Sequence, residues 1–205
     1  MCTRFYVLPD TEEIREVVEE VQKGLLARRF MEAGSPVVTA GEIRPTDVAA
    51  VLATSRSGKA AAFPMRWGFQ LPGNTLVVNA RCESAAVKPT FREAWRGHRC
   101  AIPASWYFEW EHLKTPSGRE KTGQKYAIQP VGSAVTWLCG LYRMEEGLPA
   151  FTVLTREPSE ELRQIHDRMP VMLPQEAVAA WIDPDSDPNE LLRLAMTDVM
   201  IEKAV

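Results

Sequence analysis

Cys2 stands directly behind Met1 and, once that first residue is removed, offers a free thiol and a free α-amine on adjacent carbons. No internal cysteine has both groups. A 1,2-aminothiol condenses with an aldehyde in two steps. The amine forms an imine, and the thiol then closes onto the imine carbon to give a five-membered thiazolidine. The same end can serve instead as an acyl-transfer nucleophile with its own amine as base. An α-amine titrates near 7.7 to 8.0, so roughly a third of it is unprotonated at about pH 7.5. The small Cys2 side chain favours removal of Met1. Taken alone, the position also suits a cysteine that merely follows the start residue and packs at a sheet edge.

Three further segments set polar groups among apolar neighbours: Val78-Asn79-Ala80-Arg81-Cys82-Glu83, Trp106-Tyr107-Phe108-Glu109-Trp110 and His166-Asp167-Arg168-Met169-Pro170. Each has an ordinary reading and a chemical one. Asn79 ends an apolar strand, where an amide commonly satisfies turn backbone. Glu109 lies inside an aromatic strand; facing outward it is solvated, and facing inward its carboxyl is desolvated and suited to proton transfer near neutral pH. His166 is either a surface histidine of a turn or an acid-base group.

The elements that must position these groups are legible from periodicity. Cys2 to Leu8 alternates as a strand. From Asp10, with Glu13 at the capping-box position, Ile14, Val17, Val18, Val21 and Leu25 repeat at helical spacing, which predicts a helix ending near Phe30. Strands are expected at Val48 to Ala53, Ala60 to Phe69, Thr75 to Asn79, Cys100 to Trp110, Tyr126 to Gln129, Val135 to Tyr142 and Ala150 to Leu154, with a hairpin loop at Thr115 to Gly123. Glu83 to Trp95 reads as a helix interrupted near Pro89, and Glu176 to Ile182 and Asn189 to Met196 as closing helices. Many strands with peripheral helices, lacking regular βαβ alternation, predict an α+β fold around an antiparallel sheet or open barrel.

Composition bounds the rest. At 205 residues and 45% hydrophobic, the chain suits a single domain over residues 1–205 with a sizeable core. It has no apolar run of membrane-spanning length and no signal-like start. Its four cysteines, Cys2, Cys82, Cys100 and Cys139, form no Cys-x-x-Cys, so neither a disulfide framework nor a metal site is expected, and no cofactor. A net charge of -3 argues against a general nucleic-acid coat and leaves room for a local basic groove.

Together the segments resemble the SOS response-associated peptidase (SRAP) family of abasic-site processing proteins, over nearly the whole chain. The anchors occur in the family's order: Cys2, Arg66-Trp67-Gly68, Asn79-Ala80-Arg81-Cys82-Glu83, Pro103-Ala104 leading to Phe108-Glu109-Trp110, and His166-Asp167-Arg168-Met169-Pro170. The chain departs from the family pattern at Thr3, at Trp106 and over Gly41 to Thr46. The resemblance implies capture of abasic sites in single-stranded DNA through a thiazolidine on Cys2, with Asn79 orienting Cys2, Glu109 relaying protons and His166 helping to open the sugar. Its peptidase name implies self-removal of what precedes the cysteine, here Met1. Arg4, Arg81 and Arg168 adjoin the reactive residues and are expected to clamp phosphates. Trp67 is either a stacking platform for a base or a core tryptophan. A monomeric cytoplasmic protein, nucleoid-associated on damaged DNA, is expected. Two rivals of other classes are a cysteine N-terminal-nucleophile amidohydrolase, which lacks the expected Asn-Gly motif here, and a non-enzymatic single-strand-binding module.

Overall fold

The computed structural model of the chain describes residues 2–114 and 120–204. Its core is a ring of strands. Ala60–Trp67 pairs with Val48–Thr54, that with Arg99–Ala104, that with Thr136–Glu145, and that with Leu148–Arg156, which returns to Ala60–Trp67 and closes the barrel. The closing seam is parallel, with Ala150 opposite Arg66 and Phe151 opposite Trp67. Strands buried on both faces read as continuous apolar runs, as do residues 48–53 and 100–104 of the Val48–Thr54 and Arg99–Ala104 strands. The Thr136–Glu145 and Leu148–Arg156 strands join through Glu146 and Gly147, with φ of 51° and 82°, the two left-handed residues of a type I′ hairpin turn. The α+β expectation holds, and its barrel is closed.

A ring this small favours small groups at its centre, and Ala49, Ala50 and Ala53 of Val48–Thr54 are buried. Gly140 shows the limit. A Cβ there would meet Ile102 Cδ1 at 2.8 Å, Cys100 Sγ at 2.9 Å and the Thr152 carbonyl oxygen at 2.9 Å. Gly140→Ala is therefore expected to cost about 1–3 kcal/mol through overpacking, read as a lower urea midpoint with an unchanged slope.

A second, antiparallel sheet runs Gly41–Ile43, Arg4–Val7, Trp106–Lys114, Glu120–Pro130, Val199–Lys203. The apolar run expected as one strand from Cys100 to Trp110 is thus two strands in two sheets. Ser105 makes the corner: its N–H donates to the Tyr6 carbonyl at 2.8 Å, and its hydroxyl accepts from the Leu8 N–H at 2.9 Å. This corner carries the chain from the barrel wall to the strand that holds Glu109.

The helix after the first strand is capped by Thr11, whose Oγ1 accepts from the Ile14 N–H, and not by Asp10. It runs Glu12–Lys23 and buries Ile14, Val17, Val18 and Val21. The single helix expected to reach Phe30 is two, because Gly24 adopts extended backbone (ψ 152°) before Leu25–Glu32 begins. The interrupted helix is seen as Cys82–Ala85 and Arg92–Gly97. The expected Asn189 to Met196 helix is shortened to Pro188–Leu191 and a 3-10 turn, Leu192–Leu194. Of the expected hairpin loop, 115–119 lie outside the described residues, and Gly123 belongs to the Glu120–Pro130 strand. Among the described residues no helix is long and apolar enough to cross a membrane.

Candidate active site at the N-terminal cysteine

The Arg4–Val7 strand lies between Gly41–Ile43 and Trp106–Lys114, with Arg4 opposite Phe108. That register sends the chain end past Glu109. Cys2 is fully buried, and its thiol donates to the Arg4 carbonyl at 3.7 Å. Asn79 reaches it from the barrel side: Nδ2 donates to the Cys2 carbonyl at 2.8 Å. The Asn79–Arg81 strand is itself fixed by parallel pairing to Leu148–Arg156. Asn79 thus meets Cys2 through the main chain and leaves the thiol and amine for other partners. Burial, followed by the nearby Glu109 charge, pushes the Cys2 thiol well up from its ordinary value.

Glu109 faces inward, at 3% exposure. Oε1 accepts from the Trp110 N–H at 3.3 Å, and burial raises the carboxyl above the usual carboxylate range. His166 follows the 3-10 turn Leu162–Gln164, and its N–H donates to the Leu162 carbonyl at 2.9 Å. Its imidazole is buried and pulled down to about 4, by desolvation first and by neighbouring positive charge including His112. His166 is therefore neutral at pH 7. Its Nδ1 accepts the Arg168 N–H at 3.0 Å, which places the neutral ring's proton on Nε2. The same Nδ1 lies 2.8 Å from Asp167 Oδ1, a contact that is a hydrogen bond only when Nδ1 carries a proton. The donor atoms of Glu109, His112 and His166 all lie within 4.8 Å of one another. Cys2, Asn79, Glu109 and His166, far apart in sequence, thus converge.

The four residues expected to bind DNA are placed unequally. Arg81 is exposed, and among the described residues no hydrogen bond or ion pair engages its side chain. Arg4 is partly exposed and bonds Glu42 at 3.1 Å and the Thr3 carbonyl at 2.8 Å. Glu42 also holds Lys125 and Arg44; burial pushes its carboxyl up, but these cations, Lys125 foremost, leave it below the ordinary value. Arg168 is 9% exposed. Its guanidinium grips both Glu83 oxygens at 2.9 and 2.8 Å and the Thr155 carbonyl at 2.7 Å, so in this structure it braces the His166 turn and does not reach into solvent. Trp67 is corrected. It is fully buried between Phe5 and Phe151, with Nε1 donating to the Val78 carbonyl at 2.9 Å, because it ends a barrel strand at the closing seam. It offers no face to a base and instead supports the strand leading to Asn79.

The family model described as SOS response associated peptidase (SRAP) matches residues 1–203. The chain belongs to the SRAP family. Its relatives include "Abasic site processing protein YoaM" of Bacillus subtilis (strain 168), 33% identical over 140 residues, covering 63% of this chain and 60% of that one. "Abasic site processing protein YedK" of Escherichia coli (strain K12) is 29% identical over 140 residues, covering 64% of this chain and 60% of that one. The match thus spans about three fifths of the length of these curated relatives. A solved Bacteroides thetaiotaomicron protein has the same fold, with a TM-score of 0.73 at 16% identity over 100% of this chain and 92% of that one.

Two residues of this SRAP site were not singled out from sequence. Tyr107 is buried beside Cys2 and Glu109, whose charges follow burial in raising its hydroxyl well above the ordinary value. Alternation was the available signal, since residues two apart on a strand share a face. His112 lies on the same strand, with its ring 4.3 Å from that of His166. Its spacing from Glu109 fits neither strand alternation nor a familiar metal pattern. Of the SRAP departures, Trp106 stacks on Tyr6 at 4.7 Å, and the Gly41 to Thr46 segment supplies the Gly41–Ile43 edge strand and Glu42. Cys100 and Cys139 are barrel core, and half-buried Cys82 is pushed up to about 11 by burial.

Proposed function

We propose that this SRAP protein captures abasic sites in single-stranded DNA as a covalent thiazolidine on Cys2. The observation carrying this reading is the buried convergence of the Cys2 end, held by Asn79, with Glu109 and His166. The printed names of the relatives, abasic site processing proteins, support the same substrate.

Met1 must leave first, by self-cleavage at this site or by an aminopeptidase, with one water consumed. His166 donates its Nε2 proton to the ring oxygen of the closed sugar as the C1′–O4′ bond breaks and takes the C1′ hydroxyl proton in return, and an aldehyde appears. The Cys2 amine adds to C1′ to give a carbinolamine. Glu109, whose carboxyl burial raises above its ordinary value, passes a proton to the departing hydroxyl, and water leaves the imine. The thiol then bonds to C1′ while its proton passes to nitrogen. The sum is aldehyde plus aminothiol giving thiazolidine plus water. The buried thiol then meets an electrophilic imine carbon formed beside it by its own amine. Holding all partners together replaces slow bimolecular steps with near-unimolecular ones.

The test is incubation of protein, its processed N-terminus verified by intact mass, with single-stranded oligonucleotides carrying or lacking one abasic site. A band shift that survives denaturation, only with the abasic strand, is expected; no shift refutes the reading. Arg81 is the exposed cation adjoining Asn79, and we assign it to the DNA backbone. Arg81→Ala is expected to weaken single-strand binding about equally across sequences and to lower the slope of log affinity against log salt by about 0.7. A sequence-selective loss, read by fluorescence anisotropy on several oligonucleotides, would point instead to base contacts.

A further inference from the structure

We propose that Glu109, His112 and His166 form a binding site for a borderline transition-metal cation of the Zn²⁺ class, and that the bound ion blocks the proton transfers of Cys2 chemistry. The consequence for capture rests on the function proposed above; the metal site does not.

The three donors come from two elements that are joined beside them. His112 and Glu109 sit on Trp106–Lys114, and the His112 backbone N–H donates to the Ile165 carbonyl at 3.2 Å, the residue before His166. This bond fixes the strand against the turn. The donor atoms lie within 4.8 Å of one another, and ligands about 2.1 Å from a tetrahedral zinc stand about 3.4 Å apart. Closing the set requires the donors to draw together; His112 is exposed and has room to rotate, while Glu109 and His166 are buried.

Asp167 supplies the second observation. A histidine that ligates through Nε2 must carry its proton on Nδ1, and metal-bound histidines hand that proton to a carboxylate or carbonyl. Asp167 Oδ1 lies 2.8 Å from His166 Nδ1. The ring therefore has two arrangements: Nε2–H with Nδ1 accepting from the Arg168 N–H, or Nδ1–H donating to Asp167, the Arg168 bond given up, with the Nε2 lone pair turned to a cation. Two imidazoles and one carboxylate suit Zn²⁺ and its neighbours and are poorly matched to Mg²⁺ or Ca²⁺, which take oxygen donors. Three protein ligands leave one position for water. In this state the Glu109 oxygen and the His166 lone pair are both engaged, so neither can move a proton for the Cys2 amine.

The test begins without DNA. Zn²⁺ titrated into the chelator-stripped, processed protein, read by calorimetry, is expected to bind at one per chain, with Mg²⁺ and Ca²⁺ giving no heat of binding. His112→Gln is expected to weaken Zn²⁺ by at least about tenfold and Asp167→Asn by about 10- to 100-fold, while Cys2→Ser leaves the affinity unchanged. Absence of binding, or an affinity indifferent to His112→Gln, overturns the site, and loss in Cys2→Ser reassigns the ion to a thiolate. Adduct formation is then compared with saturating Zn²⁺ and with excess EDTA. The initial rate is expected to fall by about 100-fold or more with zinc, to recover in EDTA, and to be spared in His112→Gln at the same zinc concentration. Acceleration by zinc overturns the blocking role. Failure to form adduct in EDTA refutes the proposed function and leaves the titration result standing.

Discussion

Cys2→Ala, with its N-terminus processed, is expected to abolish the denaturation-stable adduct with abasic single-stranded DNA while retaining an imine that borohydride traps. Alanine keeps the α-amine that attacks the aldehyde and lacks the sulfur that closes the ring. Without ring closure, the imine hydrolyses once the DNA dissociates. Well-placed intramolecular groups act at effective molarities of about 10⁵–10⁸ M, so no free thiol in solution replaces the lost one. The substitution removes one buried sulfur from an otherwise packed end, and the Asn79 hydrogen bond goes to the Cys2 backbone carbonyl, which alanine also has. The amine therefore stays in position. Gel analysis after heat and denaturant, with and without borohydride, reads the result. A stable adduct from Cys2→Ala without reductant would make the ring-closure assignment wrong.

Glu109→Gln carries the second large effect. Glutamine keeps the shape of the buried side chain and can still accept the Trp110 N–H, but it cannot release or take up a proton. Loss of a positioned acid-base group costs about 10²–10⁴ in rate. The rate of adduct formation under single-turnover conditions is expected to fall by that amount, while affinity for an intact single strand, which we assign to exposed cations such as Arg81, is expected to stay near that of the parent. An unchanged rate would remove Glu109 from the proton relay. An equal fall in rate and in affinity would mean that it holds the shape of the site instead.

The fold was legible where short-range pattern suffices. Ile14, Val17, Val18 and Val21 mark a helix because the side chains of one turn share a face, and these residues are buried as that pattern requires. The break at Gly24 was hidden inside the same pattern, since apolar spacing continues across it into Leu25. The long run from Cys100 to Trp110 concealed a corner. Both halves are apolar, and only Ser105's bonds to the Tyr6 and Leu8 backbone show where the chain leaves the barrel for the second sheet.

By itself the sequence determined the chemistry available to this SRAP chain: an aminothiol at Cys2 after loss of Met1, an amide at Asn79, a carboxyl at Glu109 and an imidazole at His166. These are properties of covalent structure, and no fold changes which groups exist. Tertiary structure decided their state and company. Exclusion of water raises the Cys2 thiol and Glu109 and holds His166 neutral. The barrel seam buries Trp67, Glu83 occupies Arg168, and the contact between the Glu109 strand and the His166 turn places His112 beside both. Solvation and encounter between residues distant in sequence arise only when strands pair across the whole chain, so residue spacing alone does not encode them in readable form.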